Sequence, residues 1–173
     1  QHIIGDAIQV INNKEWELVI AHPPCTYFSN AGMCNLTRKN SDDIYRAKRK
    51  ALTLQSFGFV IAIASSYPHM IAIENPVGWL NTHWRKPDQI IQPFQFGHNV
   101  NKKTCLWLKG LPLLKPTKIV AKDITVVWEG TGAKISKWYK DTLKMGKGNL
   151  QEVSKIRSKT FQGIADAMAE QWG

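Results

Sequence analysis

The sequence has no long hydrophobic run. Its longest apolar stretch covers only residues 57–64, and a membrane-spanning helix requires about 18 apolar residues. The chain also opens without the basic start and the apolar core of a signal peptide. We therefore expect a protein that neither crosses a membrane nor carries a secretory signal.

Cysteine is also scarce. Cys25, Cys34 and Cys105 are the only three, and an odd number at irregular spacing argues against a disulfide framework. A reducing, cytoplasmic setting fits this usage best. There is no Cys-x-x-Cys pair, and His22, Cys25 and Cys34 lack the usual spacing of metal ligands. We therefore expect no metal site.

The sequence does have enough apolar residues for a core and a large excess of positive charge. The 173 residues are 43% hydrophobic and carry a net charge of +10, which indicates one ordinary domain. Residues 1–100 have a net charge of +2, whereas residues 101–173 hold 14 basic and 6 acidic residues, a net of +8. An uneven distribution of this kind predicts a face that binds a polyanion such as DNA. The clustered candidates for phosphate contacts are Lys134, Lys137, Lys140, Lys144 and Lys147.

Strand and helix patterns alternate along the chain. Short apolar segments predict strands at 16–21, 70–73, 104–108 and 124–128. Helical spacing predicts one helix from a cap at Ser41 to residue 64, and a C-terminal helix capped by Ser158 or Thr160. Residues 77–103 are expected to be irregular, and the Lys- and Gly-rich residues 129–159 to be mobile. The alternation predicts an α/β fold with a mainly parallel sheet. Trp16, Trp107 and Trp172 are expected in the core.

Two of the predicted strands end in motifs that contain reactive side chains. His22-Pro23-Pro24-Cys25 follows the first strand and Glu74-Asn75-Pro76 ends the second. The carboxyl ends of neighbouring parallel strands meet at one edge of a sheet, where ligands bind. The two prolines would fix the position of the Cys25 thiol. A thiol nucleophile beside the carboxylic acid of Glu74 suits attack on an electron-poor ring.

The order of these motifs resembles that of the cytosine-5 DNA methyltransferases. The similar stretches are Gly5-Asp6-Ala7, residues 17–32 around Pro23-Pro24-Cys25, Ile73-Glu74-Asn75-Pro76, residues 96–107, and the terminal helix from Ser158. The chain most resembles short phage- or prophage-borne proteins of this kind, which act in settings such as restriction and modification. The resemblance implies a Rossmann-like S-adenosylmethionine-dependent methyltransferase fold, incomplete at the N-terminus.

By this resemblance, Cys25 attacks carbon 6 of a flipped-out cytosine in double-stranded DNA, and Glu74 hydrogen-bonds ring nitrogen 3. Lys103 stands at the position of the family's first arginine and would steady the thiolate or the base. Carbon 5 would take a methyl group from S-adenosylmethionine. The residues that the resemblance places near this cofactor are Asp6, Pro23, Pro24, Gln162 and Gly163.

The resemblance also suggests three parts. Residues 1–112 would form the catalytic core, 113–157 a basic, loop-rich candidate for DNA recognition, and 158–173 a helix that packs back on the core. The family's Gly-containing cofactor loop is not found before Gly5, so either residues that precede Gln1 in the gene or a second polypeptide would supply it. Alternatives are a DNA-binding protein without catalysis and a methyltransferase acting on an exocyclic amino group. His22 and Cys25 depart from the motif of the amino-group enzymes.

Overall fold

The computed structural model describes residues 2–33, 42–129 and 132–173. Ser41, the predicted helix cap, and Cys34 lie outside these ranges. The chain divides into two compact units. The first comprises the residues up to 90 together with 104–113, and the second comprises 91–103 and 114–173.

The first unit is built on a four-stranded sheet. In chain order it contains α1 (Ala7–Asn12), β1 (Leu18–Ala21), a 3₁₀ helix (Cys25–Tyr27), α2 (Asn30–Met33), α3 (Asp43–Ala64), β2 (Met70–Pro76), α4 (Trp79–His83), β3 (Gln89–Ile91, whose last residue falls in the second unit) and β4 (Thr104–Lys109). The strand order is β1-β2-β4-β3. β1 runs parallel to β2, and β2 runs antiparallel to β4.

These strands confirm a mixed α/β fold, but the prediction of a mainly parallel sheet was wrong. A parallel pair needs a long crossover, and α3 supplies one between β1 and β2. Only the short α4, β3 and a second 3₁₀ helix (Pro93–Gln95) lie between β2 and β4. The sheet is therefore mixed in the part of the chain that the structure describes.

The core of the first unit lies where α3 packs on the sheet. Val60 and Ile63 of α3 meet Ile73 of β2 and Trp107 of β4 in one buried cluster. Alternate residues of a strand point to opposite faces, so Glu74 lies on the face opposite to this cluster. Asp42 caps α3 by accepting a hydrogen bond from the backbone of Tyr45 at 2.6 Å.

The second unit contains, besides the 3₁₀ helix Pro93–Gln95, a hairpin and three α-helices among its described residues. They are β5 (Thr125–Val127), β6 (Lys134–Ser136), α5 (Lys137–Met145), α6 (Leu150–Ser158) and α7 (Gln162–Trp172). β5 and β6 pair antiparallel. Arg157 of α6 donates to the hydroxyl of Thr142 at 2.8 Å and to the backbone carbonyl of Tyr139 at 2.9 Å. Its guanidinium also lies 3.5 Å from the centre of the Tyr139 ring. α5 and α6 are therefore held together by one half-buried arginine.

Several local predictions were wrong. Residues 129–159 contain β6, α5 and α6 where glycine and lysine had indicated loops, since lysine is a good helix former and Ser136 and Asn149 cap the two helices. The residue that caps α7 is Phe161, without a side-chain bond, in place of Ser158 or Thr160. Trp16 is exposed, whereas Trp107 and Trp172 are buried as predicted.

Among the described residues, no helix has both the length and the apolar character that crossing a membrane requires.

Candidate active site

The ends of β1 and β2 bring the two predicted motifs to one edge of the sheet. Ala21 pairs with Ile73 in the parallel register, so His22 and Glu74 form the next pair along. Because alternate residues share a face, both side chains lie on the face opposite to the core cluster. The sequence prediction that the two motifs leave neighbouring strands at the same edge is confirmed.

His22 and Glu74 are in direct contact. The imidazole Nδ1 lies 2.7 Å from the carboxylate Oε2. The His22 side chain is 42% exposed, whereas that of Glu74 is only 15% exposed. The imidazole therefore links a largely buried carboxylate to the solvent side of the site.

A second contact joins the same two loops. The side-chain amide of Asn75 donates to the backbone carbonyl of Pro23 at 2.8 Å. Asn75 is fully buried, and its Oδ1 has no hydrogen-bond partner among the residues that the structure describes. Loss of the Pro23 contact would leave a buried donor unpaired as well, at a cost of about 1–3 kcal/mol. Asn75 is therefore a strong tie between the loops.

Cys25 begins the short 3₁₀ helix that follows this anchored point. Pro24 precedes it with φ −53°, and the half-buried Cys25 accepts backbone hydrogen bonds from Phe28 at 3.0 Å and Ser29 at 2.9 Å. The carbonyl of Pro23 is held by Asn75. The backbone around the thiol is therefore constrained on both sides, as the two prolines predicted.

Arg49 of α3 holds the loop after Cys25. Its Nη2 donates to the carbonyls of Thr26 at 3.0 Å and Gly32 at 2.8 Å. Its guanidinium also lies 5.1 Å from the centre of the Tyr27 ring, a cation–π distance. Sequence reasoning missed this residue, because one arginine among the four basic residues of 46–50 carries no signal of its own.

Gly78 brings the loop after β2 against the loop after Cys25. The backbone of Trp79 donates to the carbonyl of Phe28 at 2.8 Å, and an added Cβ on Gly78 would lie only 2.0 Å from that oxygen. The Trp79 ring packs on the rings of Phe28 and Phe57, with centres 5.9 and 5.1 Å apart. Close backbone approach therefore requires glycine here.

The other described cysteine has a structural setting. Cys105 of β4 is fully buried, and the side-chain amide of Asn81 donates to its Sγ at 3.3 Å. Burial raises the pKa of the Cys105 thiol, the Asn81 hydrogen bond opposes this shift, and the charge of Glu74 adds to it. A thiol held in its neutral form is a poor nucleophile.

The residues predicted for the cofactor have local roles. In the first unit, Asp6 caps α1 by accepting from Ile8 and Gln9 at 2.8 and 3.1 Å, while Pro23 and Pro24 shape the approach to Cys25. In the second unit, Gln162 donates to Asp166 at 2.7 Å, and the backbone of Gly163 donates to His98 Nε2 at 3.0 Å. The polar groups of Asp6, Gln162 and Gly163 therefore already have partners within their own units, and the assignment of these residues and of the two prolines to the cofactor stays a prediction.

Lys103 and the five candidate lysines for DNA all belong to the second unit. Lys103 is exposed directly before β4. Lys137 pairs with Asp141, and this contact raises the pKa of Lys137 and lowers that of Asp141. Lys140 lies 3.1 Å from Glu129. Of the five candidate lysines, three are exposed and form no ion pair with a described acidic residue. They are Lys134, Lys144 and Lys147.

The part of the chain that the structure describes holds no cluster of three or more His, Cys, Asp or Glu side chains that could bind a metal ion. A cavity of about 330 Å³ in the second unit is lined by Trp128, Tyr139 and Arg157 among others. None of the predicted site residues lines it.

No protein-family model matches the chain, and no curated protein matches it. The resemblance to cytosine-5 DNA methyltransferases therefore rests on the order of the sequence motifs alone and stays a prediction.

Proposed function

We propose that this chain carries the base-activating site of a cytosine-5 DNA methyltransferase, in the cytoplasm of a bacterial or phage-infected cell. The observation that supports this most directly is the parallel register of β1 and β2, from which the Cys25 loop and Glu74 leave at one edge. The His22–Glu74 and Asn75–Pro23 contacts join the two loops. The Rossmann-like methyltransferase fold is part of the same proposal.

The proposed chemistry uses a thiolate and a carboxylic acid. The Cys25 thiolate adds to carbon 6 of cytosine as Glu74 gives a proton to ring nitrogen 3, and carbon 5 becomes electron-rich. After carbon 5 has accepted an electrophile and lost its proton to water, the sulfur–carbon bond breaks to restore the Cys25 thiolate, and the proton on ring nitrogen 3 returns to Glu74. The methyl donor, S-adenosylmethionine by resemblance, and a second polypeptide to hold it belong to the proposal. They are not part of the site described for this chain.

Double-stranded DNA is the proposed substrate. A thiol on a braced loop at the edge of a sheet cannot reach a base inside a duplex, so the cytosine must be extruded. The basic second unit would hold the phosphate backbone, which dominates affinity for DNA. Lys103 belongs to the proposal as a cation near the flipped base.

One observation favours a second candidate, a DNA-binding protein without catalysis. The polar groups of Asp6, Gln162 and Gly163 already have local partners, so these residues are accounted for without a cofactor. A methyltransferase acting on amino groups is less favoured. Its motif uses the residue at position 22 to accept from the base, and here His22 is already in contact with Glu74.

The test measures activation of carbon 5 without any methyl donor. Thiol addition makes carbon 5 exchange its hydrogen with water, so DNA carrying tritium at carbon 5 of cytosine should release its label when mixed with the full chain. We expect Cys25→Ala to abolish the release and Cys105→Ala to retain it. Glu74→Gln should slow the release by roughly 10²–10⁴-fold, which is the usual contribution of a positioned acid–base group.

Three results would contradict the proposal. Release that persists in Cys25→Ala would show that another group activates the base. DNA that binds the wild-type chain without any release would favour the non-catalytic alternative. With S-adenosylmethionine and 5-fluorocytosine DNA, a denaturant-resistant adduct through Cys25 would extend the test to methyl transfer, whereas a methyl group on the exocyclic amine would exclude this mechanism.

A further inference from the structure

We propose that His22 is a positioning residue that donates its Nδ1 hydrogen to Oε2 of Glu74 and so reserves Oε1 for the proton that is given to the substrate. The inference rests on the proposed function. It concerns a residue to which neither the motif series nor the resemblance gives a part.

The contact between His22 and Glu74 lies directly after the parallel pairing of β1 and β2. The parallel register aligns Ala21 with Ile73, and His22 and Glu74 extend it by one pair on the same face. The backbone at Pro23 is tied by Asn75, one residue further along each loop. Two successive residues of one loop are therefore bonded to two successive residues of the other. The 2.7 Å approach of Nδ1 to Oε2 is a consequence of strand pairing.

The chemistry follows from what a carboxylic acid can do. It holds one proton on one of its two oxygens. When Oε2 accepts a hydrogen bond from Nδ1, the favourable place for the acidic proton is Oε1. A donor fixed in this way also restricts rotation of the carboxyl group, which brings it closer to a productive geometry before the base arrives.

The difference in exposure supports this role. Glu74 is largely buried at 15% side-chain exposure, while His22 at 42% keeps contact with solvent. Burial removes much of the water that would otherwise bond to the carboxylate, and a polar group buried without partners is costly. The His22 imidazole supplies a partner of fixed direction in place of that water.

The first test needs neither DNA nor catalysis. Nitrogen-15 NMR of the labelled full chain reports which ring nitrogen of each histidine carries hydrogen. We expect Nδ1 of His22 to carry it, and Glu74→Gln to shift the His22 signals while leaving those of His69 unchanged. A His22 ring with hydrogen on Nε2 alone, or signals that do not respond to Glu74→Gln, would overturn the proposal.

The second test separates positioning from folding. His22→Ala should lower the maximal rate of tritium release by roughly 10-fold and leave the DNA concentration for half-maximal rate nearly unchanged. His22→Asn should restore most of the rate, because its amide nitrogen lies near the position of Nδ1 and can donate to Oε2. His69→Ala, an exposed histidine of the same unit outside the site, is the matched control. Thermal unfolding of each variant checks that the fold is retained.

The outcomes distinguish the two proposals. If the wild-type chain releases label and His22→Ala releases it equally fast, the role of His22 is wrong and the proposed function stands. If His22→Ala is slow and His22→Asn is no faster, donation through Nδ1 is wrong. If the wild-type chain releases no label, the proposed function is wrong and the catalytic role of His22 falls with it. The NMR result would then report on the contact alone.

Discussion

At the scale of single residues, the site depends on side chains that fix backbone carbonyls. Asn75 bonds the carbonyl of Pro23, and Arg49 bonds those of Thr26 and Gly32. These carbonyls flank Cys25 in the chain. The thiol is therefore placed by contacts that reach its neighbours through the main chain, which explains why no simple spacing of functional side chains marks the site.

Arg49→Ala should loosen the loop after Cys25. It removes two hydrogen bonds from a charged donor, each of which contributes about 1.5–3 kcal/mol, together with the contact on Tyr27. We expect amide hydrogen exchange of Phe28 and Ser29, which donate to Cys25, to become faster. Tritium release should fall by roughly 10-fold.

The matched control for Arg49→Ala is Lys50→Ala, which removes the same charge from the next, exposed position of α3. It should leave both measurements near the wild-type values. Equal effects of the two substitutions would show that charge on α3 matters and that the bonds of Arg49 do not.

The proposed catalytic pair was easier to locate from the sequence than the residues that hold its loops in place. The Cys25 and Glu74 motifs could be located because strand ends, prolines and turn residues leave a clear local pattern. Arg49 could not be found, because its partners are carbonyls 17 and 23 residues away in the chain. The exposure of Trp16 was missed for a similar reason, since its ring nitrogen bonds the carbonyl of Val10 outside the core.

At the scale of elements, the crossover from β1 through α3 to β2 fixes the site. Its apolar residues at helical spacing were visible in the sequence, and α3 ends at Ala64 as predicted, although the residues that it buries are Thr53, Val60 and Ile63. β3 and β6 were missed because each has only three residues and neither lies in a longer β-prone run, whereas the equally short β5 lies within Ile-Thr-Val-Val-Trp at 124–128. α5 and α6 were missed because glycine and lysine were taken as signs of a loop, although the glycines lie outside both helices.

Two glycines of the first unit provide a paired test of these elements. Gly78→Ala would place a Cβ 2.0 Å from the carbonyl of Phe28, so the two loops must separate. We expect a loss of about 2 kcal/mol or more in the free energy of unfolding. Gly58→Ala on α3 meets nothing within 4 Å and should stabilise the chain by about 0.5–1 kcal/mol, because alanine favours a helix.

Urea titration of both glycine variants measures these differences. A Gly78→Ala chain as stable as the wild type would contradict the close approach of the two loops. A destabilised Gly58→Ala chain would contradict the position of that residue on an open face of α3. Since the two changes are chemically identical, their opposite signs can come only from their surroundings.

At the scale of the whole molecule, the two halves of the sequence differ in net charge. The net charge of +8 in residues 101–173 predicts a polyanion partner, and the structure reduces the number of lysines that are available for it. Lys137 and Lys140 have acidic partners within the second unit. Of the five candidates, Lys134, Lys144 and Lys147 are exposed and pair with no described acid, so we expect these three to contact phosphates.

This assignment predicts how DNA affinity depends on salt. Each phosphate neutralised contributes about −0.9 to the slope of log affinity against log salt concentration, so three lysines should contribute about −2.7. Fluorescence anisotropy with a labelled duplex measures that slope for the full chain. Replacing Lys134, Lys144 and Lys147 together by alanine should make the slope shallower by about this amount and weaken binding at low salt.

Lys140→Ala, which removes a lysine that already has an acidic partner, is the control and should change the slope by much less than one unit. A flat response in the wild-type chain would exclude phosphate contacts as the basis of binding. An unchanged slope in the triple variant would place those contacts on other lysines.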